Sequence, residues 1–149
     1  MAQKIAFAAD HAAFPLKEEI KAYVEAKGYE TVDFGTHSEE SCDYPDFAHP
    51  AAEAVSRGEC DFGIGMCGSG NGMQISLNKH QDIRAALCWL PELGALARQH
   101  NNANFLVLPA RFITIEEARN IVDAYLDAKF EGGRHERRVA KIPVDGCKC

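Results

Sequence analysis

Apolar residues recur along this chain in two alternating rhythms. Short compact runs, Lys4 to Ala9, Thr31 to Phe34, Asp61 to Met66, Arg84 to Trp89 and Phe105 to Leu108, have the length of buried strands. Between them lie stretches whose apolar positions fall three and four apart, the spacing of one helix face. Pro15 opens the first, with Leu16, Ile20, Tyr23 and Val24 on one side, Lys17, Glu18, Lys21 and Glu25 on the other, and Gly28 as its stop. An alanine-rich helix follows through about Arg57. Its start is placed between 46 and 50, because Pro50 lacks the donor that a helix interior uses. Further helices run from the glycine-rich segment at 68–72 towards His80 and from Pro91 to about Asn101. Thr114 with Glu117 forms a capping box ahead of a helix whose inner face is Ile115, Ala118, Ile121, Val122, Tyr125 and Leu126, ended by Gly132-Gly133.

Strand–helix alternation repeated five times predicts one domain spanning 1–149. The expected fold is three-layer α/β: a five-stranded parallel sheet of Rossmann-like or flavodoxin-like type, with helices on both faces and right-handed crossovers. A tail from about 143 to 149 is expected to be flexible. In such sheets ligands bind beyond the carboxyl ends of strands, here after Ala9, Phe34, Met66, Trp89 and Leu108.

Composition narrows the class. With 149 residues and 46% hydrophobic content the chain can build one core without staples. A net charge of −6 excludes a broad basic face for nucleic acid. No window approaches 18 uninterrupted apolar residues, so no membrane span is expected. The opening residues carry no signal-peptide apolar region, and the six cysteines (42, 60, 67, 88, 147 and 149) are expected to be reduced thiols of a cytoplasmic protein.

At the strand ends stand Asp10-His11, Cys67-Gly68-Ser69-Gly70-Asn71-Gly72 and Arg111, an acid, an imidazole, a thiol, a glycine turn and a guanidinium on one edge. Three glycines in five residues let the backbone aim several N–H groups at one locus, and a following helix adds its positive end, which makes an anion cradle. It is neither familiar nucleotide loop, since residues 72–74 are Gly-Met-Gln rather than Gly-Lys-Ser/Thr and the spacing is not that of a dinucleotide fingerprint. Cys60 and Cys88 are expected to be small buried apolar groups. At Cys67 the cradle would favour a thiolate, able to act as nucleophile or as general base. Arg134 and Arg138, four apart, would share a helix face as a phosphate fork or as a solvated helix end. His100 is either a dipole contact at a helix C-terminus or a functional group. His37, His49, His80 and His135 show no ligand spacing, and Cys147-Lys148-Cys149 is a poor zinc site without further ligands.

Asp10-His11, Asp43-Tyr44-Pro45, Cys67 to Gly72, Asn78-Lys79, Arg98 to Asn101 and Glu131 to His135 together resemble the type B ribose-5-phosphate isomerases, a family shared with galactose-6-phosphate and allose-6-phosphate isomerases. The likeness runs from Lys4 to about Val139. It implies interconversion of aldose and ketose phosphates through a cis-enediolate, without metal or cofactor. It implies Cys67 as the base between C1 and C2, with Ser69 and the N–H groups of Gly68, Gly70, Asn71 and Gly72 on the enediolate oxygens. His100 would open the sugar ring, assisted by Asp10 and Tyr44. His11, Arg111, Arg134 and Arg138 would take the phosphate and Asn101 a hydroxyl. Ser69 and Asn71 depart from the residues usual in the family, threonine and a small aliphatic, which leaves a six-carbon phosphate as the alternative to ribose 5-phosphate. A non-catalytic phosphosugar-binding or redox module is the rival from another class.

Ten helical residues cover about 15 Å. His100 is therefore expected far from Cys67 of its own chain and in reach of a partner's site, which makes a homodimer, or a dimer of dimers, the active assembly.

Overall fold

The five apolar runs all become strands of one parallel sheet, in the order β2-β1-β3-β5-β4. A computed structural model describes residues 1–144. The strands are β1 (Lys4–Ala9), β2 (Glu30–Asp33), β3 (Phe62–Cys67), β4 (Ala85–Leu87) and β5 (Phe105–Pro109). The helices are α1 (Phe14–Ala26), α2 (Pro45–Ser56), α3 (Asn71–Leu77), α4 (Pro91–Asn101), α5 (Ile115–Asp127) and α6 (Arg134–Ala140), with a 3-10 turn at His11–Ala13. Among the described residues no helix is long and apolar enough to cross a membrane. The tail cysteines Cys147 and Cys149 lie outside the described residues, as does most of the segment expected to be flexible.

Strand alternation divides the core in two. Ile5, Phe7 and Ala9 of β1, Ile64 and Met66 of β3, and Leu106 and Leu108 of β5 pack with Ile20 and Val24 of α1 and Ile121, Val122 and Tyr125 of α5. On the other face Ala6, Ala8, Cys67, Phe105 and Val107 meet Ala48, Ala51 and Ala52 of α2 and Met73 and Leu77 of α3. Small residues on that face let α3 lie close: a β-carbon on Gly65 would stand 2.9 Å from Met73 Cγ. The edge of β4 is closed by Asn78, which accepts from Ala85 N–H at 2.8 Å and donates to Ala85 O at 2.9 Å, standing in for a neighbouring strand.

Five expectations are corrected. Lys17, placed on the solvent side of α1, is fully buried, because Asp33 at the end of β2 accepts from its Nζ at 2.7 and 2.6 Å. α2 begins at Pro45 and carries Pro50 inside it, one turn in, where a single intrahelical bond is forgone. β4 stops at Leu87, leaving Trp89 about half exposed. α5 ends at Asp127 rather than at the glycine pair: Ala128 turns extended, and Glu131 N–H is drawn to Gln99 O of α4 at 3.0 Å. Its first residue, Ile115, is 42% exposed, because the turn containing it lies beyond the core face. Thr114 does cap α5, accepting from Glu117 N–H at 3.0 Å.

Candidate active site

The chain leaves β1 towards β2 on one side and later enters β3 on the other, so strand order reverses between β1 and β3. Crevices open at such a switch point. Asp10 follows β1 and is 8% exposed; its Oδ1 accepts from the N–H groups of Ala12 and Ala13 at 3.0 and 3.3 Å, which fixes the carboxylate. His11 comes next. Its Nδ1 accepts from Cys42 N–H at 3.2 Å, so the proton belongs on Nε2 and the ring offers a donor there. The Cys42 amide is a positioning group that no sequence signal marked.

Across the switch point β3 ends at Cys67, whose side chain points to the α2/α3 side and is 4% exposed. The turn beyond it is laced to the end of β5: Ala110 N–H donates to Cys67 O at 2.9 Å and Arg111 N–H to Gly68 O at 3.0 Å. That lacing lays Arg111 against the turn, with its Cδ and Nη1 3.3 Å from where a Gly68 β-carbon would stand. Gly70 has φ +81°, a conformation that favours glycine, and a β-carbon there would run into Leu87. Ser69 Oγ accepts from Asn71 N–H at 3.3 Å at the start of α3. Tyr44, at the start of α2, lays its ring directly on Gly72. Asp10, His11, Tyr44, Cys67, the 68–72 turn and Arg111 are therefore brought to one edge. A cavity of about 530 Å³ opens beside Ser69 and Asn71 of the turn, with Leu87, Trp89 and Phe112 in its wall; Asp10, His11, Tyr44, Cys67 and Arg111 do not line it.

The remaining expected residues form a second group. α4 starts beyond the carboxyl end of β4 and returns towards the start of β5, so His100 and Asn101, in its last turn, lie at the opposite end of the sheet. His100 stacks on His135 with ring centroids 4.3 Å and planes 11° apart, and Glu131 Oε1 stands 3.7 Å from Nε2 of each ring. Arg134 and Arg138 are exposed on α6, next to this pair. His135, which linear spacing did not single out, is 7% exposed; burial, then the neighbouring His100 and Arg134 charges, hold its pKa below the usual imidazole range.

Cys88 is pushed up to about 12 by burial and Cys60 is raised by the same cause, in keeping with apolar core groups.

Fold and site define a doubly wound α/β domain that gathers acid, imidazole, thiol and guanidinium at the switch-point edge of its sheet, the edge at which such domains take small ligands. The chain belongs to the ribose/galactose isomerase family, whose model matches residues 5–142. It is 48% identical over 140 residues to ribose-5-phosphate isomerase B of Escherichia coli, covering 94% of each chain. A solved ribose 5-phosphate isomerase from Thermotoga maritima matches with a TM-score of 0.94 and 54% identity, over 97% of this chain and 99% of that one. The Mycoplasma genitalium ribose-5-phosphate isomerase B, solved with bound ribulose-5-phosphate, matches at TM-score 0.93 and 41% identity, over 100% of this chain and 99% of its own.

Proposed function

We propose that this chain is a ribose-5-phosphate isomerase, interconverting ribose 5-phosphate and ribulose 5-phosphate through a cis-enediolate, as a cytoplasmic enzyme without nucleic-acid or membrane partners. The observation that carries the reading is the meeting of Asp10, His11, Tyr44 and the Cys67 turn at the β1/β3 switch point, in a chain nearly half identical to isomerases of that kind. Cys67 takes the C2 proton of the open-chain aldose, exchanges it with solvent and delivers a proton to C1, while O2 gives up its hydroxyl proton and O1 gains one. Charge then develops on the two substrate oxygens, where Ser69 and the backbone N–H groups of 68–72 face it; preorganised donors of this kind contribute about 3 kcal/mol each. Asp10, held by two N–H groups, and Tyr44 assist His100 in opening the ring. The Nε2–H of His11, with Arg111, Arg134 and Arg138, receives the phosphate, whose binding energy orients the reacting carbons. Asn101 meets a hydroxyl.

His100, Asn101, Arg134 and Arg138 sit at the far end of α4 from Cys67, so a complete site needs them from a second copy. Mixing Cys67→Ala chains with His100→Ala chains should restore turnover in hybrid dimers, to about half of wild type per hybrid, because one of its two sites is intact. Confirmed hybrids without activity reject shared sites. Side-by-side kcat/KM values for ribose 5-phosphate, allose 6-phosphate and galactose 6-phosphate test the sugar. A preference of at least tenfold for the five-carbon phosphate is expected, and a reversed order assigns the six-carbon reaction.

A further inference from the structure

Where α4 meets α6, two imidazoles and a carboxylate converge. The side-chain ligand atoms of His100, Glu131 and His135 all lie within 4.8 Å of one another, and Glu131 Oε1 is 3.7 Å from both Nε2 atoms. That separation is too long for hydrogen bonds. It is close to the spacing of about 3.4 Å between ligand atoms around a tetrahedral Zn²⁺ bonded at about 2.1 Å. Backbone contacts hold all three residues. His100 sits in the last turn of α4, Glu131 N–H donates to Gln99 O at 3.0 Å, and His135 N–H donates to Gly132 O at 3.1 Å. His135 is 7% exposed while His100 and Glu131 have side chains 39% and 52% exposed, so the group is anchored on one side and open to solvent on the other. The rings are stacked nearly parallel, so the exposed His100 ring must turn for both nitrogens to face one ion. Two imidazoles with one carboxylate suit a borderline cation such as Zn²⁺ rather than Mg²⁺ or Ca²⁺, which demand oxygen. Arg134 and Arg138 on α6 oppose a cation and limit its affinity.

We propose that His100, Glu131 and His135 form a binding site for Zn²⁺, with water completing the shell, and that occupation inhibits turnover by withholding His100. The inhibition rests on the isomerase reading above; the binding does not.

The test titrates Zn²⁺, against a chromophoric chelator, into the full chain carrying Cys147→Ser and Cys149→Ser, whose thiols would otherwise compete. Ribose 5-phosphate turnover is followed over the same range. One ion per chain is expected, bound at least tenfold more weakly in Glu131→Gln and in His135→Asn and unaltered in Cys67→Ser. Co²⁺ in its place should show visible ligand-field bands without a thiolate charge-transfer band. Relative to its own metal-free rate, Glu131→Gln should need at least tenfold more Zn²⁺ for half-inhibition. Binding that survives both Glu131→Gln and His135→Asn, or that disappears in Cys67→Ser, overturns the site. Binding as expected with turnover indifferent to Zn²⁺ overturns the inhibition. A chain that binds Zn²⁺ as described yet isomerises no sugar phosphate leaves the site standing and refutes the isomerase reading instead.

Discussion

Replacing Gly72 with alanine asks whether the Tyr44 ring belongs to the reacting geometry. Gly72 is the second residue of α3, and a β-carbon on it would stand 2.8 Å from Tyr44 Cε2 and nearer still to the facing ring edge. Real β-carbons do not approach other atoms that closely, so the ring must move. Two energies oppose each other. Alanine is favoured over glycine in a helix by up to about 1 kcal/mol, whereas overpacking costs about 1–3 kcal/mol where neighbours cannot yield. Tyr44 is 37% exposed and swings outward, which puts the cost at the low end of that range. Net stability should therefore change by at most about 1 kcal/mol, or about 2–4 °C in Tm for a chain of this length. Catalysis should not be spared. With the phenol displaced, kcat/KM for ribose 5-phosphate should fall at least tenfold, which is about 1.4 kcal/mol of transition-state stabilisation. Thermal unfolding monitored by circular dichroism, beside steady-state kinetics on the same preparation, separates the two effects. Tyr44→Phe keeps the ring on Gly72 and isolates the hydroxyl. A Gly72→Ala protein with wild-type kcat/KM and wild-type Tm would refute the reasoning, since the ring would then have moved without consequence.

Lys17→Met leaves Asp33 with Lys21 at 3.2 Å, the Gly35 N–H at 2.9 Å and the exposed His37 ring at 4.0 Å, and should cost about 3 kcal/mol in urea unfolding, because it strands a largely buried charge; a loss below about 1 kcal/mol contradicts the pairing. Burial opposes ionisation of Asp33, but the bonds from Lys17 and the Gly35 N–H and the Lys17 charge outweigh it and hold its carboxyl below the ordinary range. Stability from this group is therefore present above the unfolded carboxylate pKa of about 4 and fades as pH falls through the lower folded value. Asp33→Asn should be less stable at pH 7 yet lose less on acidification, and identical acid profiles for the two proteins would rule the contribution out.

Strands and the inner faces of α1 and α5 were legible because burial writes itself as period: Leu16, Ile20 and Val24, or Ala118, Ile121, Val122 and Tyr125, need no knowledge of their partners. Lys17 was not legible for the converse reason. Its burial depends on Asp33, sixteen residues on and in a different element, and helical spacing alone assigns a lysine to water. The end of α5 was hidden likewise, since Gly132-Gly133 is a genuine breaker, but the chain leaves the helix earlier to meet α4. At the site, the chain-local parts (Asp10-His11 and the 67–72 turn) could be placed from strand ends, because topology fixes which ends share an edge. Tyr44 on Gly72, Cys42 N–H on His11 and His135 on His100 are meetings between separate elements, and no spacing along the chain encodes them.

The claim on which all of this turns is that Cys67 moves hydrogen between carbons. Ribose 5-phosphate isomerised in heavy water by wild type should yield ribulose 5-phosphate carrying deuterium at C1. A folded Cys67→Ser protein, its Tm within a few degrees of wild type, should lose at least about a hundredfold in turnover, the scale of a general base. Turnover by Cys67→Ser at the wild-type rate, with the same deuterium content in the product, would remove the thiol from the reaction and contradict the account.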